Sequence, residues 1–188
     1  MNPDPSLDSI GLPHDLDQPS IEDSWKPFVE KLSQINSDDM QRLASDEYKD
    51  SEHGKANANV GLFEIKQHPN PTQKASWWPD SPQTSSERPL AGLKIVDITR
   101  VIAAPVIARG LAEMGASVMR ITAPHLQDNS TLHCDLNWGK WNTFLDFKKE
   151  DELEKAQELI READTVVMGY RPEVLDKYGL GVEGILEL

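Results

Sequence analysis

The chain has 188 residues, enough for one domain with a substantial extension. Its 19 basic and 32 acidic residues give a net charge of −13, which argues against non-specific binding to nucleic acid or an anionic membrane, because both ligands need a positive face. It has one cysteine and no long apolar run, so neither an intrachain disulfide nor a membrane span is predicted. Without an apolar secretory core or a peroxisomal address at its last residues, it is expected to be cytoplasmic.

The first half of the chain predicts a partly disordered, helical extension. Residues 1–20 contain four prolines and no periodicity, and are expected to be a disordered tail. Residues 21–68 are predicted to be a helical extension, because apolar residues recur near helical spacing, with a break at Asn36. A short strand is expected within it at residues 60–65.

The second half has the pattern of an α/β domain. Residues 69–88 are rich in proline, serine and threonine and are predicted to be a linker, and residues 89–188 a Rossmann-like domain. The predicted elements are strands at 93–98, 116–122, 142–147 and 165–168, and helices at 100–114, 150–163, 173–178 and 182–188. This order implies a mainly parallel sheet with flanking helices and right-handed crossovers.

Candidate ligand-binding loops follow from that topology. In an open parallel sheet, ligands bind where the carboxyl ends of strands meet the amino termini of helices. Those places are residues 99–104, 122–126 and 169–172, and helix amino termini suit phosphate. The sequence contains no Gly-x-Gly-x-x-Gly and no phosphate-binding loop motif. The main sequence evidence for binding a dinucleotide or a nucleoside triphosphate is therefore missing.

Several separated blocks of the second half carry a family resemblance. They are Pro-Leu-Ala-Gly-Leu-Lys-Ile-Val-Asp-Ile-Thr-Arg-Val at 89–101, Leu-Ala-Glu-Met-Gly-Ala-Ser-Val at 111–118, Gly-Lys at 139–140, Leu-Asp-Phe-Lys at 145–148, Ala-Asp-Thr-Val-Val-Met-Gly-Tyr-Arg-Pro at 163–172 and Leu-Gly at 180–181. Together they resemble the class III CoA-transferases, which include formyl-CoA and carnitine CoA-transferases and the α-methylacyl-CoA racemases. The chain is similar to the CoA-binding portion of long members of this family.

The resemblance implies a cofactor, substrates and partners. It implies coenzyme A bound as acyl-CoA, a carboxylic acid as second substrate, and a homodimer of interlocked subunits, each with a Rossmann-like large domain and a small domain. Lys140 is expected to pair with a CoA phosphate. Carried over by position, the residues expected to hold CoA are Arg100, Val101, Ile102, Ala103, Lys140, Gly169, Tyr170, Arg171 and Lys177.

No catalytic residue is assigned. The family's nucleophile is an aspartate tens of residues beyond the segment that matches 169–172, whereas sixteen residues follow Pro172. The expected reaction is transfer of CoA between carboxylic acids. The alternatives are epimerisation of a 2-methylacyl-CoA, or a non-catalytic fragment that binds CoA or pairs with a subunit. No metal is expected, because His125, His133 and Cys134 lack ligand spacing.

Overall fold

The chain divides into two compact units, residues 1–71 and residues 72–188. A computed structural model describes residues 4–14, 18–69, 76–126 and 128–188. The division between the units lies inside the segment predicted to be a linker, of which residues 70–75 fall outside the described residues.

The first unit is helical where it is described. Its helices are α1 (Asp4–Ile10), α2 (Ile21–Ser24), α3 (Lys26–Leu32), α4 (Ser37–Asp50) and α5 (Glu52–Asn57). Helix α1 packs against α4, and its Leu7 and Ile10 side chains are buried. This helix lies within residues 1–20, which were expected to be a disordered tail. A helix of seven residues is too short to show a helical period in the sequence.

A side chain at its amino terminus explains where α4, the longest helix of the first unit, begins. Asn36 precedes α4, and its Oδ1 accepts a hydrogen bond from the Asp39 backbone N–H at 2.9 Å. Such a cap satisfies a donor that the helix itself leaves unpaired. Residues 60–65 form no strand, contrary to expectation: they pair with no strand of the described chain, and the apolar side chains Leu62, Phe63 and Ile65 are exposed.

The second unit contains a four-stranded sheet. Its strands are β1 (Lys94–Ile98), β2 (Ser117–Thr122), β3 (Lys140–Phe144) and β4 (Thr165–Met168). They lie in the order β3-β2-β1-β4, and all three pairings are parallel. In the central register, Val96 lies opposite both Met119 and Val166.

Helices cover both faces of this sheet. They are α6 (Ala103–Glu113), α7 (Ser130–Leu136), α8 (Glu150–Arg161) and α9 (Val182–Glu187), with a short 3-10 helix at Asp176–Tyr178. Ile95 packs with Ala108 of α6, whereas its neighbour Val96 packs with Ala156 and Ile160 of α8. Successive residues of a strand point to opposite faces, so α6 and α8 lie on opposite sides. The prediction of a Rossmann-like, mainly parallel sheet with flanking helices is confirmed.

Several boundaries differ from the predicted ones; the helix predicted at 173–178, for example, is only a 3-10 helix at Asp176–Tyr178. Helix α6 begins at Ala103 instead of residue 100, because Val101 has a φ of 67° that no right-handed helix accepts. Strand β3 begins at Lys140 and ends at Phe144, since its partner β2 ends at Thr122. Helix α7 was not predicted. No helix among the described residues combines the length and apolarity needed to cross a membrane.

Candidate functional site

The strand order places a crevice at the carboxyl edge of the sheet, between β1 and β4. From β1 the chain proceeds to β2 on one side, while β4 pairs with β1 on the other. Such a switch in strand order is where parallel sheets bind ligands. Gly169, directly after β4, lies so close to β1 that an added Cβ would stand 3.2 Å from Thr99 Cβ and 2.9 Å from Ala104 Cβ.

The loops on either side of this crevice contain unusual backbone. Val101 follows β1 with φ 67°, and Glu173 follows β4 with φ 68°; they are the non-glycine residues with positive φ among those described. Left-handed backbone is costly for a β-branched residue and concentrates at functional sites. Val101 belongs to a segment predicted to contact CoA, and Glu173 directly follows another, residues 169–172.

A cavity of about 270 Å³ opens at the same edge, on the α8 face. Its wall is apolar and aromatic, with Leu145, Phe147 and Tyr170 among the lining residues. Burial raises the pKa of the Tyr170 phenol, against the opposing positive charges of Arg100 and Arg120. The phenol therefore remains a hydrogen-bond donor at neutral pH.

Basic side chains also line this cavity. Lys148 follows β3, and Lys177 lies in the 3-10 helix with its Nζ 5.0 Å from the centre of the Tyr178 ring. His125 lies in the loop after β2, with its Nδ1 3.5 Å from Oδ2 of Asp146. In a chain of net charge −13, two lysines and a histidine beside one carboxylate form a locally basic lining that suits phosphate.

Lys140 does not line this cavity. Its side chain and that of Asp97 are both 0% exposed, and Lys140 Nζ lies 2.8 Å from Asp97 Oδ2. The same Nζ donates to the Pro105 carbonyl oxygen at 3.0 Å, while Thr99 Oγ1 donates to Asp97 Oδ1. Burial lowers the pKa of Lys140, against the attraction of Asp97, which raises it. The ammonium group thus bridges β3, β1 and α6 and is not placed at a solvent-accessible phosphate site.

A second buried charge pair lies on the same face. Arg120 of β2, 3% exposed, forms an ion pair with Asp128 at 2.5 Å, and His133 Nε2 lies 3.0 Å from the same Asp128 oxygen. Burial raises the pKa of Asp128, but hydrogen bonds from the Asn129 backbone, His133 and Arg120 outweigh burial and bring the pKa below its usual value. Asp128 is therefore an ionised structural partner of β2.

The structure brings only some of the predicted site residues to the cavity. Tyr170 and Lys177 line the 270 Å³ cavity, and Arg171 lines an adjoining hollow with Tyr170. Gly169 lies at the crevice, as described above. Arg100, Val101, Ile102 and Ala103 occupy the connection into α6 and do not line this cavity; Val101 and Ile102 are 44% and 53% exposed.

Two basic residues of the cavity were missed from the sequence. Lys148 belongs to the block Leu-Asp-Phe-Lys at 145–148, and its position just after a strand was the available signal. His125 lies in the loop 122–126, which topology had marked as a ligand loop. Within the described part of the chain, no three His, Cys, Asp or Glu side chains are grouped to hold a metal ion.

The fold and this cavity define a Rossmann-like α/β layer with a ligand site at the carboxyl ends of its strands. The family model "CoA-transferase family III" matches residues 90–188. The chain therefore belongs to CoA-transferase family III, as the resemblance predicted.

Curated relatives carry transferase names. The chain is 44% identical to "Acetyl-coenzyme A transferase nodX" of Hypoxylon pulicicidum, over 100% of this chain and 34% of the relative. It is 30% identical to human "Succinyl-CoA:glutarate CoA-transferase", over 59% of this chain and 28% of the relative. The chain thus spans about a third or less of the length of these curated relatives.

A solved structure is also similar. It is a CAIB/BAIF family protein from Brucella suis, with a TM-score of 0.49 and 29% identity, covering 54% of this chain and 31% of that one.

Proposed function

We propose that this chain binds the nucleotide end of an acyl-CoA at the carboxyl edge of its sheet. The observation that carries the proposal is the basic and aromatic lining of the 270 Å³ cavity within a strongly acidic chain. An aromatic wall formed by Phe147, Tyr170 and Tyr178 suits a flat purine, and Lys148 and Lys177 suit phosphate oxygens.

The size of the cavity limits what it holds. Sites for drug-sized ligands are about 300–1,000 Å³, so a cavity near the lower bound accommodates one ring system and its sugar. The rest of CoA would extend along the loops around the switch in strand order. Arg100 to Ala103 lie on one side, and Gly169, Tyr170 and Arg171 lie on the other.

For the protein to which this chain belongs, the proposed reaction is transfer of CoA from an acyl-CoA to a carboxylic acid. The thioester bond of the donor breaks, a thioester forms on the acceptor, and the donor acid leaves as a carboxylate. Family membership and the names of the relatives support this reaction. A homodimer, a cytoplasmic location and metal-independent action are proposed with it, on the family resemblance and the composition.

Binding is tested by isothermal titration of the chain with CoA. Lys148→Met and Lys177→Met each remove one cationic partner of a phosphate, and each is expected to weaken binding about tenfold to a hundredfold, the value of a hydrogen bond to a charged group. Lys155→Met is the matched control, because Lys155 is an exposed lysine of α8 paired with Asp151 at 3.6 Å. Equal affinities for all three variants would refute the site.

The reaction is tested in D₂O by mass spectrometry, with acyl-CoA donors and a carboxylate acceptor. A new acyl-CoA made from the acceptor indicates transfer. Deuterium at carbon 2 of a 2-methylacyl-CoA, without exchange of the acyl group, would indicate the racemase alternative. CoA binding with neither reaction would favour the non-catalytic alternative.

A further inference from the structure

The connection between β1 and α6 is held at both ends by one buried ion pair. At its start, Thr99 Oγ1 donates to Asp97 Oδ1; at its end, the Pro105 carbonyl oxygen accepts from Lys140 Nζ at 3.0 Å. Asp97 and Lys140 are joined to each other at 2.8 Å. The four residues between Thr99 and Ala104, expected from the resemblance to contact CoA, therefore span a loop whose two ends are fixed by the same pair.

This loop needs external support. Val101 at its centre has the left-handed backbone with φ 67°, which persists only where the surroundings over-determine it. Both side chains of the pair are 0% exposed, so water does not compete for their hydrogen bonds. A buried ion pair adds little net stability over well-packed apolar residues, but loss of one partner leaves an uncompensated buried charge.

We propose that Lys140 is a positioning residue, which acts through Asp97 to hold the connection from Thr99 to Pro105 in its CoA-binding conformation and does not itself contact a CoA phosphate. The inference rests on the proposed function, since it concerns the same ligand. It assigns to Lys140 a role different from the phosphate contact that the family resemblance implies.

The two roles predict opposite effects for a change at Asp97. If Lys140 contacts phosphate, Asp97→Asn frees its ammonium group, and CoA affinity stays equal or rises. If the pair positions the loop, Asp97→Asn and Lys140→Met each weaken CoA binding by roughly tenfold, within the range of coupling between residues in contact. The double variant then binds no more weakly than either single variant, and the salt dependence of binding matches that of the parent chain.

These affinities are measured by titration calorimetry, with far-UV circular dichroism to verify folding and Lys155→Met as the control. An Asp97→Asn variant that is folded and binds CoA as well as the parent overturns the inference. A double variant whose fold reduction in CoA affinity equals the product of the two single-variant reductions also overturns it.

A second measurement needs no variant and decides the question if the single variants do not fold. The parent chain is treated with acetic anhydride with and without CoA, and each lysine is followed by mass spectrometry. Lys140 is expected to remain unmodified in both samples, while Lys148 and Lys177 are modified and become protected by CoA. Modification of Lys140 at the rate of Lys155, with protection by CoA, overturns the inference. Absence of protection at Lys148 and Lys177 counts instead against the proposed CoA site.

Discussion

Replacing Gly169 with alanine tests the close approach between β4 and the start of α6. The added methyl carbon would lie 2.9 Å from Ala104 Cβ and 3.2 Å from Thr99 Cβ. Carbon atoms pack comfortably at about 3.5–4.0 Å, so the chain must separate by roughly 0.6 Å. Neither neighbouring atom is the end of a flexible side chain. Overpacking of this kind destabilises by about 1–3 kcal/mol.

The assay compares urea midpoints. With an m-value of about 2 kcal/mol per molar, the midpoint for the second unit falls by about 0.5–1.5 M. Hydrogen exchange of peptides that contain β1 and β4, measured across a urea series, reports on this unit alone. CoA affinity is expected to fall as well, because the crevice widens.

Gly110→Ala is the matched control within α6. A Cβ at Gly110 meets nothing within 4 Å, so the change removes a poor helix former at no steric cost. It is expected to stabilise the unit by up to about 1 kcal/mol. A lower urea midpoint for Gly169→Ala together with a higher midpoint for Gly110→Ala supports the packing argument. An unchanged or raised midpoint for Gly169→Ala would refute it.

Further predictions concern packing, charge and capping. Leu180→Ala, at a side chain that is 0% exposed, is expected to cost about 2–5 kcal/mol, whereas Leu186→Ala, 51% exposed, stays within about 0.5 kcal/mol by the same urea series. Asp128→Asn is expected to lower stability at pH 7. The folded-state pKa of Asp128 lies below 3.8, so the ionised carboxylate stabilises the fold above pH 3.8. This stabilisation disappears as the pH falls through the folded-state pKa. A difference between the urea midpoints of parent and variant that does not shrink as the pH falls below 3.8 would contradict this. Asn36→Ala is expected to destabilise α4 by about 0.5–2 kcal/mol, measured as reduced exchange protection in its first turn, while Asn59→Ala, outside any cap, leaves that protection unchanged.

Strong local patterns predicted the central fold. β1 and β4 are short, mostly apolar and β-branched, so their existence and extent followed from sequence, although only β1 is central and β4 lies at the edge of the sheet. Strand β3 is an edge strand whose bounds depend on pairing with β2, which a local pattern does not contain. Helix α7 is seven residues long, too short for a periodic signal.

The candidate site was predictable only in part. Residues of the loop predicted at 122–126 line the cavity, as do the predicted site residues Tyr170 and Lys177. The partner of Lys140 is 43 positions away in sequence, and no pattern in the chain indicates that the two side chains meet. Lys148 directly follows the strand predicted at 142–147, so the strand-end rule applied to this lysine, although it was not among the predicted site residues.

The backbone at Val101 has a consequence for directed evolution. Glycine adopts a positive φ without the steric conflict that a β-branched residue meets there, so Val101→Gly relieves a local energetic penalty. A mutant library screened only for heat tolerance will enrich this substitution. The substitution would also make the backbone more flexible in a segment proposed to bind CoA. The thermostable variants selected by this screen are therefore expected to bind CoA more weakly.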